Sequence, residues 1–430
     1  MDHPALDFSR KEKKTIILAV TLGNLLEWYE IYLYVYWAPI IAKLFFHSDD
    51  LSNLTHTFLI FAVGFLARPL GGLFFGRLGD LIGRRKALIL SVMMMIFPTF
   101  VTGFLPTYAQ IGMMAPIILG FMRIFQSFPA GGELPGAFCY LYESSPIRTR
   151  RFMCSWAALG YQLGILISTV ECFLLEKYLS TEALIQWGWR LSFLIGGLIG
   201  FFGLYLRKRL HETPLYLEME THEHVVKTPI LHVLNYYKKG IFLGILFCAL
   251  NSSAFYLISV NFPFYFSQAL GMDYSNNLLI IVFILIFITI PLPFFGFLGD
   301  KFNNKKMLIG STLGIVLLLF PFYFAITQSS LLLMILTIIP FCLFFTLLSA
   351  LIPFIIADLF PTNVRFTCVA VSFNLSDAII GGFTPAAALY LFRFTGNQAS
   401  FCWILFFTSL LSLISYLVMK ERNHTPVHPK

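Results

Sequence analysis

The sequence predicts an all-α membrane protein, with twelve transmembrane helices arranged as two pseudo-symmetric six-helix bundles. Three observations carry that expectation. The 430 residues are 58% hydrophobic and only 12% charged, whereas a soluble globular domain is roughly a quarter charged. Apolar runs long enough to cross a bilayer recur along the whole chain. Two polar loop motifs each occur twice, at nearly the same interval.

Taken in order, the apolar runs cover about 15–39, 54–76, 87–105, 111–141, 153–175, 187–206, 240–264, 277–298, 307–327, 331–356, 366–391 and 399–419. The first carries two acids near its centre and no small-residue cleavage site, so it reads as a retained span and not as a signal peptide. The longest interior loop, 207–239, is hydrophilic and charged, as a linker between a 1–206 bundle and a 240–430 bundle should be. With the amino terminus inside, all but six of the 30 Lys and Arg fall on the cytoplasmic side. The exceptions are Lys43, Lys177, Arg190 and Arg393 outside, and Arg68 and Arg123 within spans. That bias obeys the positive-inside rule and predicts that both termini are cytoplasmic. The net charge of +8 is then accounted for by basic helix ends beside a lipid bilayer, and no nucleic-acid partner is implied.

The repeat supports two halves. Gly76, Asp80, Gly83, Arg84 and Arg85 follow the second run, and Gly296, Asp300, Asn303, Asn304 and Lys305 stand 220 residues later, after the eighth. Glu143-x-x-Pro146-x-x-x-Arg150 follows the fourth run, and Asp358-x-x-Pro361-x-x-x-Arg365 stands 215 residues later, after the tenth. Two motifs repeating at nearly one interval point to a six-plus-six duplication.

Enzyme chemistry finds no support. The seven cysteines all lie in spans with no C-x-x-C, and read as small buried apolar residues. The nine histidines lie in tails, loops or at a helix end, so no metal site is expected. No H-E-x-x-H, G-x-S-x-G or P-loop string occurs, no cofactor is implied, and helices with short turns leave no room for a soluble catalytic domain.

The loop Gly76-x-x-x-Asp80-x-x-Gly83-Arg84-Arg85 resembles the signature of the major facilitator superfamily. Within it the chain looks like the metabolite:proton symporter family of proline/betaine, 2-oxoglutarate, citrate and shikimate carriers. The strings that carry the likeness are Gly23-Asn24-x-x-Glu27-Trp28-Tyr29-Glu30, Arg68-Pro69-Leu70-Gly71-Gly72, Gln126 with Gly131-Gly132-Glu133, Trp187-Gly188-Trp189-Arg190, Glu212-Thr213-Pro214 and Phe360-Pro361-x-x-x-Arg365. Three positions depart from the pattern: Glu30 replaces an aspartate, Asn303-Asn304 replaces Gly-Arg, and Asp377 stands where the family is usually uncharged. The resemblance implies a multi-pass carrier in a bacterial cytoplasmic (inner) membrane, functional as a monomer, with a small-molecule substrate and protons as its partners.

An ionisable side chain near the bilayer centre is costly, and by default marks a functional site. Glu30, with Glu27 and Glu133 behind it, is therefore the expected proton-coupling acid. Glu27 and Glu30 share a helix face at i, i+3, and Tyr34 extends that face. Arg123, three residues before Gln126, is expected to hold a substrate carboxylate. Asn374, Asp377, Tyr256, Tyr161, Gln162 and Asn251 complete the candidate substrate pocket by position. Arg68, before Pro69, reads as capping backbone or pairing with an acid between the halves. Counted as midplane charges, Glu27, Glu30, Glu133 and Asp377 outnumber Arg68 and Arg123 by two, which suits protons plus a zwitterion. Gating is expected at the repeated loops, through Gly76, Asp80, Gly83, Arg84, Glu143, Arg150, Asp300, Asp358 and Arg365. There Asp80 can accept from exposed helix-terminal amides of the other half, while Arg84 or Arg150 can pair with Glu143. The function this supports is proton-coupled symport of a proline- or betaine-like metabolite by alternating access. A carrier of citrate or a citrate-type siderophore, an exporter, and a non-transporting sensor are the alternatives.

Overall fold

The computed structural model describes residues 9–46, 51–222, 230–262, 274–327 and 331–419. The basic residues Lys227, Lys420, Arg422 and Lys430, which entered the orientation argument, lie outside these segments. The first bundle contains α1 (Arg10–Tyr36), α2 (Leu51–Ile82), α3 (Arg84–Thr102), α4 (Met114–Glu143), α5 (Arg150–Tyr178) and α6 (Trp189–Lys208). The second contains α7 (Ile230–Tyr256), α8 (Tyr274–Thr289, resuming as Leu292–Lys301), α9 (Asn304–Thr327), α10 (Leu331–Asp358), α11 (Arg365–Leu375, resuming as Thr384–Thr395) and α12 (Cys402–Val418). Ten of the twelve are both long and apolar enough to cross a membrane. The Gly-rich α2 and α4 complete the set, and no strand occurs among the described residues.

Local chemistry explains the starts and breaks. Ser9 opens α1 with a capping box, its hydroxyl accepting from Glu12 N at 3.2 Å while Glu12 accepts from Ser9 N at 2.8 Å. Pro291 interrupts α8, because proline offers no N–H to the preceding turn. In α11 the break is a π-turn over Ser376–Gly381, a bulge of the kind frequent at functional sites. The turn carries Asp377 at its second position.

The halves meet in two pairs that exchange under the duplication, α2 on α11 and α8 on α5. At their centre the rings of Trp28, Tyr161 and Phe255 pack with centroids 5.1–5.9 Å apart, which joins α1 and α5 to α7. Arg207 differs from the sequence expectation. The sequence places it at the start of the cytoplasmic linker, yet it occupies the last turn of α6 and is fully buried.

Candidate functional site

Glu27 and Glu30 are both buried on α1, but they turn to different partners. Glu27 pairs with Nη2 of Arg68 on α2. Arg68 in turn places Nη1 3.7 Å from Asp377 Oδ2 on α11, and lies 5.2 Å from the Trp28 ring centre. Tyr256 on α7 donates to the same Asp377 oxygen at 3.1 Å. One guanidinium thus bridges an acid of each half, the second of the two roles expected of Arg68.

Glu30 faces the interior of the first bundle. Its carboxylate accepts from Thr99 Oγ1 on α3 and lies 3.4 Å from Nη2 of Arg123 on α4. The Arg123 guanidinium sits 4.4 Å from the centre of the Tyr34 ring, in cation–π range. Between the two acid–arginine groups is a cavity of about 10 Å³, lined by Glu27, Arg68, Arg123, Gln126, Ile31 and Met95, room for about one water molecule. Into this neighbourhood come buried polar atoms with no hydrogen-bond partner among the described residues: Glu27 Oε2, Arg123 Nε and both amide atoms of Gln126. Buried polar groups are ordinarily satisfied, so this set is poised to take a polar guest.

Other expected pocket residues are bound elsewhere. Tyr161 belongs to the aromatic contact between halves, and Gln162, buried beside it, is the exception, with both amide atoms unpartnered among the described residues. Asn251 accepts from Ser349 at 2.6 Å. Asn374 donates to the Gly131 carbonyl at 2.7 Å, a bond from α11 to α4 across the halves.

Glu133 requires a correction to the charge count. Its carboxylate is held by Arg207 through two donors, one at 2.8 Å, and by Ser91 at 2.6 Å. Arg207 also donates to the carbonyls of Ala19 at 3.2 Å and Leu88 at 2.8 Å, which ties α1, α3, α4 and α6 together. Gly23 leaves the space for it: a Cβ there would lie 1.8 Å from Arg207 Nη2. The midplane set is therefore Glu27, Glu30 and Asp377 against Arg68 and Arg123, a surplus of one acid. Sequence reasoning missed Arg207, Ser91 and Thr99, because nothing in their own spacing marks them. It also missed Glu171 within α5, which the rule that selected Glu27 would have found.

The repeated loops join the halves at one end of the molecule. Asp80 accepts from the backbone of Phe366 at 3.1 Å and Thr367 at 2.9 Å, and from the Thr367 hydroxyl at 2.6 Å. Asp300 accepts from the backbone of Arg151 at 2.9 Å and Phe152 at 3.0 Å. Each carboxylate caps the first turn of a helix in the other half, where amides are unpaired and the dipole is positive. Gly76 permits this approach: a Cβ on it would lie 2.8 Å from Thr367 Cα.

Glu143 pairs with Arg84 at 2.9 Å and with Arg365 of the other half at 2.6 Å. Arg150, one of the two expected partners, instead donates to the Ser145 carbonyl at 3.0 Å and packs on the Tyr142 ring. The Tyr142 hydroxyl donates to Asp358. The start of the linker is also docked. Glu212 accepts from the amides of Arg84 at 2.9 Å and Arg85 at 3.1 Å. It supplies the cap that Gly83, with φ of +103° and no side chain, cannot. Burial raises the Glu212 carboxyl above the ordinary glutamate range, while these amides and that of Thr213 oppose the rise.

Because Asp80 has a hydroxyl donor and Arg84 at 3.4 Å beyond its two amides, Asp80→Asn is expected to slow transport more than Asp300→Asn. Substrate affinity should change little in either. Initial rates and substrate binding measured side by side in vesicles check this, and equal rate defects would reject the ranking.

Against known proteins, the family model described as Major Facilitator Superfamily matches residues 20–382. The chain is 30% identical over 436 residues to the glycine betaine/proline/ectoine/pipecolic acid transporter OusA of Dickeya dadantii, covering 99% of this chain and 86% of that protein. It is 31% identical over 421 residues to the proline/betaine transporter of Salmonella typhimurium, covering 96% and 84%. Among solved structures it is similar to the proton:xylose symporter XylE bound to 6-bromo-6-deoxy-D-glucose, with a TM-score of 0.77, 16% identity and 95% of each chain covered. That likeness concerns the fold.

Proposed function

This chain belongs to the major facilitator superfamily and is a transporter, and from that premise we propose that it takes up a small zwitterion of the proline or betaine class together with a proton. The observation that carries the reading is the buried set of three acids and two guanidiniums. One bound proton makes the set neutral, and a zwitterionic guest keeps it neutral. The guest's carboxylate would meet Arg123 and Gln126, whose buried donors are open, and its cationic end an acid. The names of the relatives support the same substrate class. A polycarboxylate fits less well, because both guanidiniums already hold acids and further negative charge would stay unmatched.

In this reading the repeated-loop end is cytoplasmic, as the positive-inside bias requires. Transport proceeds by alternating access in a bacterial inner membrane, the 1–206 and 240–430 bundles of a monomer rocking about the 207–239 linker. The Arg68 bridge at the centre and the carboxylate caps at the loop end must break in turn. Glu30 is the coupling acid: protonation removes its charge beside Arg123 and releases that guanidinium for the substrate.

Uptake by whole cells of labelled proline, betaine, 2-oxoglutarate and citrate, with and without a protonophore, tests the proposal. Proline or betaine should accumulate, and the protonophore should collapse the accumulation. Accumulation of citrate alone would overturn the substrate reading, and resistance to the protonophore would overturn proton coupling.

A further inference from the structure

Glu171 lies in α5, well away from the loop-motif end and roughly 10 Å before the helix finishes at Tyr178, at 1.5 Å per residue. Its Oε2 is in hydrogen-bond contact with the hydroxyl of Tyr29 on α1, and that hydroxyl is also 3.0 Å from the carbonyl oxygen of Ser192 on α6. A phenol donates one proton, and a carbonyl only accepts. When Glu171 is ionised, the phenol proton goes to the carboxylate and the carbonyl receives none from Tyr29. When Glu171 is protonated, it donates to Tyr29, Tyr29 donates to Ser192, and the three oxygens form a complete chain.

The second carboxylate oxygen, Oε1, is buried and has no hydrogen-bond partner among the described residues. None of the described ion pairs includes Glu171. The groups that interact with it among the described residues are the Tyr29 hydroxyl on α1 and the Ser192 side chain on α6, both hydrogen-bonding the carboxylate, with the thiol of Cys172 next in the chain, and none of them is cationic. An acid placed so within a span, with no countercharge, is costly when ionised. Tyr29 is packed beside the coupling acid's own partner. A Cβ on Gly196 would lie 2.9 Å from the Tyr29 ring and 3.3 Å from the Thr99 methyl, and Thr99 is bonded to Glu30.

We propose that Glu171 and Tyr29 form a second protonation site in the first bundle, filled from the outer face and acting on Glu30 through the Tyr29 ring and the neighbouring Thr99. In the step, a hydronium at the outer face gives its proton to the Glu171 carboxylate and leaves as water, the new Glu171 O–H donates to Tyr29, and the Tyr29 hydrogen bond turns from Glu171 to the Ser192 carbonyl. No other covalent bond forms or breaks. Glu171 is a positioning residue, since it acts through Tyr29. Its effect on uptake rests on the proton-coupled reading above, but its titration does not.

The test is an infrared pH titration of the full-length protein in lipid vesicles without substrate, following the carbonyl stretch of protonated carboxyls. A titrating band present in the wild type and in Glu30→Gln should vanish in Glu171→Gln. In Tyr29→Phe its midpoint should move upward by about half a unit, a threefold gain in proton affinity, because the phenol no longer donates to the ionised form. In the same vesicles, the external-pH profile of proline uptake should flatten in Glu171→Gln and regain its slope in Glu171→Asp. A Glu171→Gln titration identical to that of the wild type at every pH would overturn the proposal. A wild type that carries no proline, yet shows a band lost with Glu171, supports the site and overturns the substrate reading instead.

Discussion

Vesicles containing Glu30→Gln are expected to lose all accumulation driven by a pH gradient, while exchange of preloaded substrate continues. Glu30 is fully buried, bonded to Thr99 and 3.4 Å from Arg123. Its only route to neutrality is a proton. The amide of glutamine has the shape of the protonated acid but neither gains nor loses a proton, so the cycle stays fixed in the loaded form. Exchange needs no proton release and survives. Replacing a charge-assisted contact worth roughly 1.5–3 kcal/mol leaves room for a slowing of about ten- to 150-fold. The decisive measurement is the steady accumulation ratio with only the outside acidified. A ratio falling to one supports the assignment. Continued concentration of substrate would move the role to Asp377 or Glu27, since Glu133 is already neutralised by Arg207.

The second large effect concerns that neutralisation. Glu133→Ala or Arg207→Ala is expected to cost about 3–5 kcal/mol, because either change leaves a buried charge without its partner. Arg207 also holds the Ala19 and Leu88 carbonyls, so its loss loosens α1 and α3 against α4 and α6. Both single variants should give low yields and a markedly lower unfolding temperature in detergent. Glu133→Leu combined with Arg207→Met should recover most of the loss, since a buried pair replaced by apolar groups of similar volume is often neutral. Single variants as stable as the wild type would show that the pair is not structural and would return Glu133 to the list of coupling acids.

What the sequence by itself determined follows from rules that act along one chain segment. Lipid forces backbone hydrogen bonding into helices about twenty residues long, so apolar runs revealed the twelve spans. The repeated carboxylate loops revealed the two halves. A spacing of three residues placed Glu27 with Glu30, and Arg123 with Gln126, on one face of a helix. The acceptance of the α11 amides by Asp80 was legible too, because every helix start leaves N–H groups unpaired. Partner choice was not. Arg207 was counted as linker yet reaches Glu133, Glu143 takes Arg365 of the other half while Arg150 turns to Ser145, and Arg68 joins Glu27 to Asp377. A guanidinium on a long, flexible stem has several acids within reach. Which one it meets is decided by how helices far apart in the chain cross, and by where a small residue such as Gly23 leaves the space. Helical periodicity gives the direction in which a side chain leaves its own axis. Only the packed bundle supplies what stands opposite, and in a low-dielectric interior that neighbour determines whether a carboxylate is a proton carrier or a structural tie.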